Sequence, residues 1–256
     1  MTDDDHVLAR DLAGQAGQRL LGLRAGGGEP DLLRKAGDRQ SHEFLMAELA
    51  ARRPGDWVLS EEAADNPKRL SADRVWIVDP LDGTREFGEP GRADWAVHVA
   101  LWERGTGLTA GAVALPGQDQ VLSTGQPPPG PAGHGPDEAA GGPIRVVVSR
   151  TRPPRFVQDI SGLEDIELVP LGSAGAKVAA VILGEADAYI HGGGFYEWDT
   201  AAPVAVAHAA GFHASRIDGS ELTYNQVDLL MPDILVCRPA LATPLLQAIR
   251  EVTNAV

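Results

Sequence analysis

The sequence predicts a mixed α/β protein in which helices and strands alternate along the chain. Short apolar runs such as Val75–Val78 and Ile144–Val148 are typical of buried strands, and segments with helical spacing of apolar residues lie between them. A chain of 256 residues with 43% hydrophobic residues can bury a substantial core. A Pro/Gly-rich stretch interrupts the pattern. We therefore expect an N-terminal α+β half (1–125), a surface loop (126–143) and a C-terminal α/β half (144–256).

The N-terminal half begins with two predicted helices. The first covers about Asp5–Leu23 and ends at Gly26-Gly27-Gly28, because glycine favours helix termination. The second covers about Asp38–Ala51, with Asp38 at its start and an apolar face facing the core. Strands are then expected at Trp57–Ser60, Val75–Val78, Trp95–Trp102 and Ala110–Leu115, with a turn at Pro116-Gly117 and a return strand near Val121.

The C-terminal half has the same alternation but smaller residues in its helices. Strands are expected at Ile144–Val148, Ala188–Ile190 and Ile234–Cys237. Helices are expected at Ala174–Leu183, Trp198–Gly211 and Ala242–Val252.

Charge and cysteine content exclude several classes of function. A net charge of -14 argues against nucleic-acid binding, which needs a basic face, but is compatible with a small phosphorylated partner if metal ions offset the field. The acidic N-terminus lacks the layout of a signal peptide, and no apolar run could span a bilayer, so we expect a soluble, cytoplasmic protein without a membrane partner. The single Cys237 excludes an internal disulfide, and the spacing of His208 and His213 does not suit a zinc site.

The most informative motif is Asp79-Pro80-Leu81-Asp82-Gly83-Thr84, which follows the strand expected at Val75–Val78. We expect a turn that carries two carboxylates, followed by a segment whose backbone N–H groups face an anion. Oxygen ligands next to a phosphate site suit Mg²⁺, which usually shares its coordination with substrate phosphate. An ordinary turn remains an alternative, because turns favour Asp, Pro and Gly.

Three further acidic sites lie where strands end or helices are expected to begin. Glu61-Glu62 follows the first strand, Asp38 precedes the second helix and Asp199 precedes the late helix. Open α/β sheets bind ligands at such positions, although Asp38 and Asp199 could instead cap helices and Glu61-Glu62 could be a solvated pair. A buried cluster of unpaired carboxylates would be costly, and bound Mg²⁺ would remove that cost.

Together these blocks resemble the inositol monophosphatase-like family, which contains Mg²⁺-dependent, lithium-sensitive phosphatases. The similarity covers roughly residues 5–255. The matching segments are Gly37–Ser41, Glu61-Glu62, Trp76–Thr84, Gly172–Lys177 and Trp198–Ala202. The chain departs from the family pattern at Lys35, where Thr is usual, at Pro203, where Gly is common, in a shortened loop before Asp38 and in the Pro/Gly-rich stretch 126–143.

The resemblance implies a layered αβαβα sandwich, a homodimer and two or three Mg²⁺ ions. The first ion would be held by Glu61, Asp79 and the carbonyl of Leu81, and the second by Asp79, Asp82 and Asp199. A third, weaker ion would share Glu61. Asp38 and Thr84 would form a relay that accepts the proton of the attacking water, and the N–H groups of Gly83 and Thr84 would bind phosphoryl oxygens.

Further residues are candidates for binding the organic part of the substrate. They are Arg85, Ser149, Arg150, Gly172, Ser173, Lys177, Tyr189 and Glu197. Arg85 and Arg150 could instead form structural ion pairs, Tyr189 could belong to the core, and Lys177 could face solvent.

Within the family, one branch fits best. Asp79–Phe87, Val148–Arg150 and Glu197–Ala202 are similar to the CysQ-like phosphatases that act on 3'-phosphoadenosine 5'-phosphate. The similarity implies removal of the 3'-phosphate of that nucleotide in sulfur assimilation, with 3'-phosphoadenylyl sulfate as a further substrate. The alternatives are an inositol monophosphatase or fructose 1,6-bisphosphatase, and a catalytically silent anion-binding protein. The presence of Asp79, Asp82 and Thr84 argues against the silent protein.

Overall fold

The computed structural model describes residues 4–131, 142–160 and 165–254, and within them it contains two five-stranded sheets. The first sheet has the order β1-β2-β3-β4-β5, in which β1 and β2 are parallel and the other neighbours are antiparallel. Its strands are β1 (Trp57–Ser60), β2 (Arg74–Asp82), β3 (Ala96–Glu103), β4 (Gly107–Leu115) and β5 (Gln120–Ser123).

The second sheet has the order β10-β12-β8-β6-β7, with β6 parallel to both β7 and β8. Its strands are β6 (Ile144–Ser149), β7 (Ile166–Leu171), β8 (Ala188–His191), β10 (His213–Ser215) and β12 (Ile234–Cys237). A small antiparallel ribbon pairs β9 (Phe195–Tyr196) with β11 (Leu230–Met231).

Helices form three layers around these sheets. One outer layer consists of α1 (Asp5–Ala25) and α2 (Pro30–Arg52) on the first sheet, and the other contains α4 (Arg155–Ile160) and α7 (Pro239–Asn254) on the second. Between the sheets lie α5 (Ala174–Ile182) and α6 (Glu197–Ala209). The short helix α3 (Thr84–Gly88) follows β2 directly.

Alternation along β2 shows how one strand joins two cores. Trp76 and Val78 pack against the α1–α2 layer, while Val75 and Ile77 pack against the α5–α6 layer. Side chains alternate across a strand, so a strand buried on both faces has a continuous apolar sequence. The αβαβα sandwich that the family resemblance implies is confirmed.

The prediction of a turn at Asp79-Pro80-Leu81-Asp82 is wrong, because the backbone of this segment belongs to a strand. β2 continues through Asp82, and its register against β3 shifts between Asp79 and Asp82. Pro80 has no N–H to contribute to a sheet, and an irregular register accommodates such a residue. The two carboxylates therefore project from an irregular strand end.

The expected start of the second helix is also wrong. α2 begins at Pro30, and Glu29 caps it by accepting the N–H groups of Asp31 and Leu32. Proline is well suited to the first helical position because its missing N–H would have no helical partner. Asp38 thus lies in the interior of α2 and is not its N-cap, and the segment before it is helical.

Asp199 is also not an N-cap. α6 begins at Glu197 after Tyr196, and the Asp199 Oδ2 atom accepts the Tyr196 N–H at 2.6 Å. Asp199 therefore occupies the third helical position, where its carboxylate still satisfies a backbone donor.

The sequence analysis missed β7 and α4. β7 is an edge strand with Glu167 and Pro170 in its sequence, which weakens its apolar pattern. Edge strands tolerate proline because one side needs no backbone partner. The expected loop 126–143 lies partly outside the described residues, and the division into two halves stays a prediction. No helix in the described part of the chain is long and apolar enough to cross a membrane.

Candidate active site

Three carboxylates converge where β2 ends and α6 begins. One oxygen each of Asp79, Asp82 and Asp199 lies within 4.8 Å of the others. Asp79 is only 1% exposed and Asp82 is 6% exposed. The fold thus brings together acidic residues separated by more than a hundred positions in the chain.

Burial and mutual repulsion raise the pKa of most carboxyl groups at this point. Burial, followed by the charges of Glu61 and Asp82, raises the pKa of Asp79 well above its usual value. Burial and Asp82 raise the pKa of Asp199 to about 6, and burial and Asp199 raise the pKa of Glu61 to about 7. Each of these groups resists ionisation unless a cation is nearby.

Asp82 is the exception, because it has fixed polar partners. Its Oδ2 atom accepts the Gly175 N–H at 2.7 Å and lies 3.2 Å from the His98 Nε2 atom. Burial raises the pKa of Asp82, but His98 and the Gly175 N–H outweigh it and hold the pKa below the usual value. One carboxylate oxygen is therefore held in place while the other remains available as a ligand.

His98 was missed by the sequence analysis. It is fully buried in β3, and its Nδ1 atom lies 3.1 Å from the Trp198 carbonyl oxygen. It therefore links Asp82 to the start of α6. A single histidine within an apolar strand gives no sequence signal for such a contact.

The close packing of α5 on His98 requires glycine at position 175. A Cβ atom there would lie 2.1 Å from the His98 Nε2 atom. We expect Gly175→Ala to lower the free energy of unfolding by about 2 kcal/mol through overpacking, measured by thermal and denaturant unfolding. The control is Gly22→Ala on α1, where a Cβ would meet nothing within 4 Å, and which should stabilise by about 0.5 kcal/mol. Equal effects of the two variants would contradict this packing argument.

The carboxylate set fits a hard divalent cation. Buried oxygen donors with raised pKa values are costly without a counter-ion, and Mg²⁺ prefers such ligands. Asp79 is oriented by the Leu81 N–H, which donates to its Oδ1 atom at 2.9 Å. Asp79, Asp82 and Asp199 would thus hold Mg²⁺, with Glu61 and the Leu81 carbonyl as predicted further ligands.

Thr84 and Asp38 lie next to this cluster. The Thr84 Oγ1 atom is 3.2 Å from Asp38 Oδ1 and 3.0 Å from the Leu81 carbonyl oxygen. Burial and the charge of Glu62 raise the pKa of Asp38 to about 6. Asp38 reaches Thr84 because α2 passes close to β2 at Gly37, where a Cβ would lie 2.9 Å from Leu81.

A cavity of about 330 Å³ opens beside the carboxylates. Most of the residues predicted from the sequence line it: Glu61, Asp82, Gly83, Thr84, Arg85, Ser149, Arg150, Gly172, Lys177, Tyr189 and Asp199. Asp38, Asp79, Leu81, Ser173 and Glu197 are not among its lining residues. The cavity also contains residues that the sequence analysis did not select: Glu86, Thr151, Arg152, Leu171, Ala174, His191, Gly194, Phe195 and Tyr196.

Two of the basic side chains predicted to bind substrate, Arg150 and Lys177, already have partners within the protein. Arg150 is paired with Glu86 at 2.6 Å and with Glu89 at 3.1 Å. Lys177 is 4% exposed, donates to the Gly172 carbonyl and lies 5.3 Å from the centre of the Tyr189 ring. Burial lowers the pKa of Lys177, against the pull of Asp82 and Asp199. Lys177 is therefore not a solvent-facing lysine.

Glu197 faces away from the cavity. Its two carboxylate oxygens accept the N–H groups of Asn225 and Gln226, both at 2.7 Å. Arg69, which is 1% exposed, fixes the same loop by donating to the Asn225 side chain at 2.6 Å. Residues two apart on a helix point in different directions, so Glu197 fixes a loop while Asp199 faces the metal cluster.

Ser173 and Gly83 have backbone roles beside the cavity. Ser173 caps α5 by accepting the Ala176 N–H at 2.8 Å. Gly83 has a φ of 82°, and a Cβ there would lie 2.9 Å from the Ser173 side chain. The tight turn from β2 into α3 therefore needs glycine.

Known proteins of one family match this chain along most of its length. The profile of the Inositol monophosphatase family matches residues 8–254. A 3'-phosphoadenosine 5'-phosphate phosphatase of Mycobacterium leprae is 50% identical, covering 97% of this chain and 94% of that protein. The 3'(2'),5'-bisphosphate nucleotidase CysQ of Escherichia coli strain K12 is 31% identical, covering 83% and 91%.

A solved structure supports the fold independently. The structure of Staphylococcal IMPase-II has a TM-score of 0.77 and 21% identity, and the match covers 98% of this chain and 96% of that chain. The resemblance found in the sequence is confirmed by the family profile and by these relatives. The chain belongs to the inositol monophosphatase family.

Proposed function

We propose that the protein is a Mg²⁺-dependent phosphomonoesterase that removes the 3'-phosphate of 3'-phosphoadenosine 5'-phosphate, giving AMP and phosphate. The observation that carries the proposal is the buried Asp79–Asp82–Asp199 cluster, which adjoins a polar cavity of about 330 Å³. Relatives with 50% and 31% identity bear names of that activity. 3'-Phosphoadenylyl sulfate, which carries the same 3'-phosphate, is a further candidate substrate.

These carboxylates would hold Mg²⁺, which would supply Lewis acidity to neutralise phosphoryl charge and to lower the pKa of water. Residues of the chain transfer the proton and orient the phosphate. Asp38, with a pKa of about 6, and Thr84 hold and pass a proton close to the reacting phosphate. The backbone N–H groups of Gly83 and Thr84 orient the phosphoryl oxygens, and Lys177 adds positive charge to the cavity wall.

The number of bound ions, lithium sensitivity and a homodimeric state stay predictions from the family resemblance. Titration with Mg²⁺ by calorimetry, inhibition by Li⁺ and sedimentation of the purified protein measure them separately.

We expect the enzyme to prefer the bisphosphorylated nucleotide by at least about 100-fold in kcat/KM. A site whose polar groups hydrogen-bond one substrate discriminates against compounds that leave those groups unpaired. Phosphate release in Mg²⁺ is compared for 3'-phosphoadenosine 5'-phosphate, inositol 1-phosphate and fructose 1,6-bisphosphate. An Asp82→Ala preparation controls for contaminating phosphatase. Comparable rates on all three compounds would identify a generalist sugar or inositol phosphatase and overturn the proposal.

A further inference from the structure

The cations around the active-site cavity are not equally available to a ligand. Arg150 is shared between Glu86 and Glu89, as described above. Arg152 also lines the cavity, is exposed, and has no carboxylate within ion-pair distance among the described residues. In a chain with a net charge of -14, an arginine without an acidic partner at the mouth of the active site is available to an anionic ligand.

Arg152 also lines a second, smaller cavity. This side cavity has a volume of about 150 Å³ and is lined by Arg152, Pro154, His191, Gly192 and Gly193. Arg152 and His191 belong to the walls of both cavities, so the two are adjacent. None of the described residues that line the side cavity is acidic, in contrast to the carboxylate wall of the main cavity.

His191 contributes a neutral hydrogen-bond donor between the two cavities. Its Nδ1 atom accepts the Gly193 N–H at 3.1 Å, which places the proton of the neutral ring on Nε2. Burial, assisted by the charges of Lys177 and Arg152, lowers the pKa of His191 to about 4, so the ring is neutral at physiological pH. The Phe195 ring fixes it edge-on, with ring centres 5.0 Å apart.

Two glycines line the side cavity, and a larger residue at either position would displace neighbouring atoms. A Cβ at Gly192 would lie 2.9 Å from the Phe156 ring. Gly193 has a φ of 99°, and a Cβ there would lie 2.1 Å from the Pro232 carbonyl oxygen. The side cavity beside Arg152 therefore depends on glycine at both positions.

We propose that the side cavity binds the second anionic group of the substrate, the 5'-phosphate, with Arg152 as its cation and the Nε2–H of His191 as its neutral donor. This inference rests on the proposed function. The carboxylates Glu61, Asp82 and Asp199 would attract a phosphate only through bound Mg²⁺. The adjacent region has a free guanidinium and, among the described residues, no carboxylate to repel a second anionic group. The reacting 3'-phosphate then lies at the carboxylate end.

The test compares two nucleotides that differ only in the 5'-phosphate: 3'-phosphoadenosine 5'-phosphate and adenosine 3'-phosphate. We expect Arg152→Gln to lower kcat/KM for the bisphosphate about 10- to 100-fold and to change that for the monophosphate by less than about twofold. Arg152→Lys should restore part of the loss because it keeps the charge. His191→Phe, which keeps a ring but removes the donor, should also act selectively on the bisphosphate.

The matched control is Arg155→Gln, which removes the same charge from an exposed position that lines neither cavity. It should leave both substrates unaffected. A parallel loss on both nucleotides in Arg152→Gln, or no loss on either, would overturn the inference while leaving the proposed function intact. If the wild-type enzyme prefers inositol 1-phosphate to both nucleotides, the proposed function fails, and the inference fails with it.

Discussion

Asp79→Asn should abolish phosphatase activity and, at the same time, stabilise the metal-free protein. The side chain is 1% exposed, and burial together with the charges of Glu61 and Asp82 raises its pKa. Asparagine is nearly isosteric, and its carbonyl oxygen can still accept the Leu81 N–H that now donates to Asp79 Oδ1. The substitution therefore removes repulsion and keeps the Leu81 N–H paired.

The loss of activity follows from the position of Asp79 in the cluster. Its oxygen lies within 4.8 Å of oxygens of Asp82 and Asp199, so it is placed to share a cation with both. We expect kcat/KM to fall on the order of 10³-fold or more, as for removal of a strong electrostatic stabiliser of the transition state. Steady-state phosphate release at saturating Mg²⁺ measures this effect.

The gain in stability is measured on protein treated with EDTA at pH 7.5. We expect an increase of about 1–3 kcal/mol, which for a protein of this size raises Tm by several degrees. Mg²⁺ should then raise the Tm of the wild-type protein much more than that of the variant, because ligand binding to the folded state stabilises it.

The matched control is Asp73→Asn, just before β2. The Asp73 carboxylate is 89% exposed and forms a surface ion pair with Arg104, so its loss should change Tm and activity little. If Asp79→Asn destabilised the metal-free protein, or retained wild-type activity, Asp79, Asp82 and Asp199 could not be metal ligands that repel one another in the absence of the ion.

Much of this site could be predicted from the sequence, because its ligands lie at element ends in one short motif. Asp79 and Asp82 follow an apolar strand, and Asp199 lies in the first turn of a helix. Such ends meet at one edge of a layered α/β fold. Their convergence needs no knowledge of the intervening loops.

The predictions from the sequence were wrong at positions where tertiary contacts determine the local structure. Gly37 favours a break before Asp38, yet α2 runs through it. Glycine is needed there because a larger residue would collide with Phe87 and Leu81. Helix propensity is a weak constraint that packing overrides. Glu197 and Asp199 have the same acidic character at one helix start, and only the position of the loop at Asn225 distinguishes their roles.

His98 and His191 show a different limit. His98 lies within an apolar strand and His191 ends one, and no local pattern separates a buried structural histidine from one beside a site. Their surroundings depend on residues elsewhere in the chain: Asp82 lies 3.2 Å from the His98 Nε2 atom, and Arg152 lines the same two cavities as His191. Such residues become visible only once the fold is known.

The last prediction concerns how pH changes stability with and without Mg²⁺. In the metal-free protein, Asp38 and Asp199 have pKa values of about 6 and Glu61 has a pKa of about 7. Unfolded carboxyl groups have pKa values near 4. Between about pH 4.5 and pH 7 the folded state therefore binds more protons than the unfolded state, and these groups lower stability as pH rises.

Other groups act in different directions or at other pH values. His191 has a pKa of about 4, below the ordinary value of 6.5. It contributes stability that is lost as pH falls from about 6.5 to about 4, because the unfolded ring takes up a proton in that interval. Asp94 and Asp187 have lowered pKa values, since their ion pairs and backbone donors outweigh burial, and their contribution is lost only at more acidic pH. A single Tm-against-pH curve would mix these effects.

The difference between the curves in Mg²⁺ and in EDTA isolates the carboxylate cluster, because groups away from it contribute equally to both. We expect the increase in Tm on adding Mg²⁺ to be small near pH 5 and to grow steadily to about pH 7.5, since the ion binds only deprotonated ligands. In Asp79→Asn the increase should be small at every pH, while Asp73→Asn should behave as wild type. An increase in Tm that is independent of pH would mean that the ion does not bind at these carboxylates. Binding elsewhere would leave their mutual repulsion in place and would remove the physical basis for assigning catalysis to this end of the cavity.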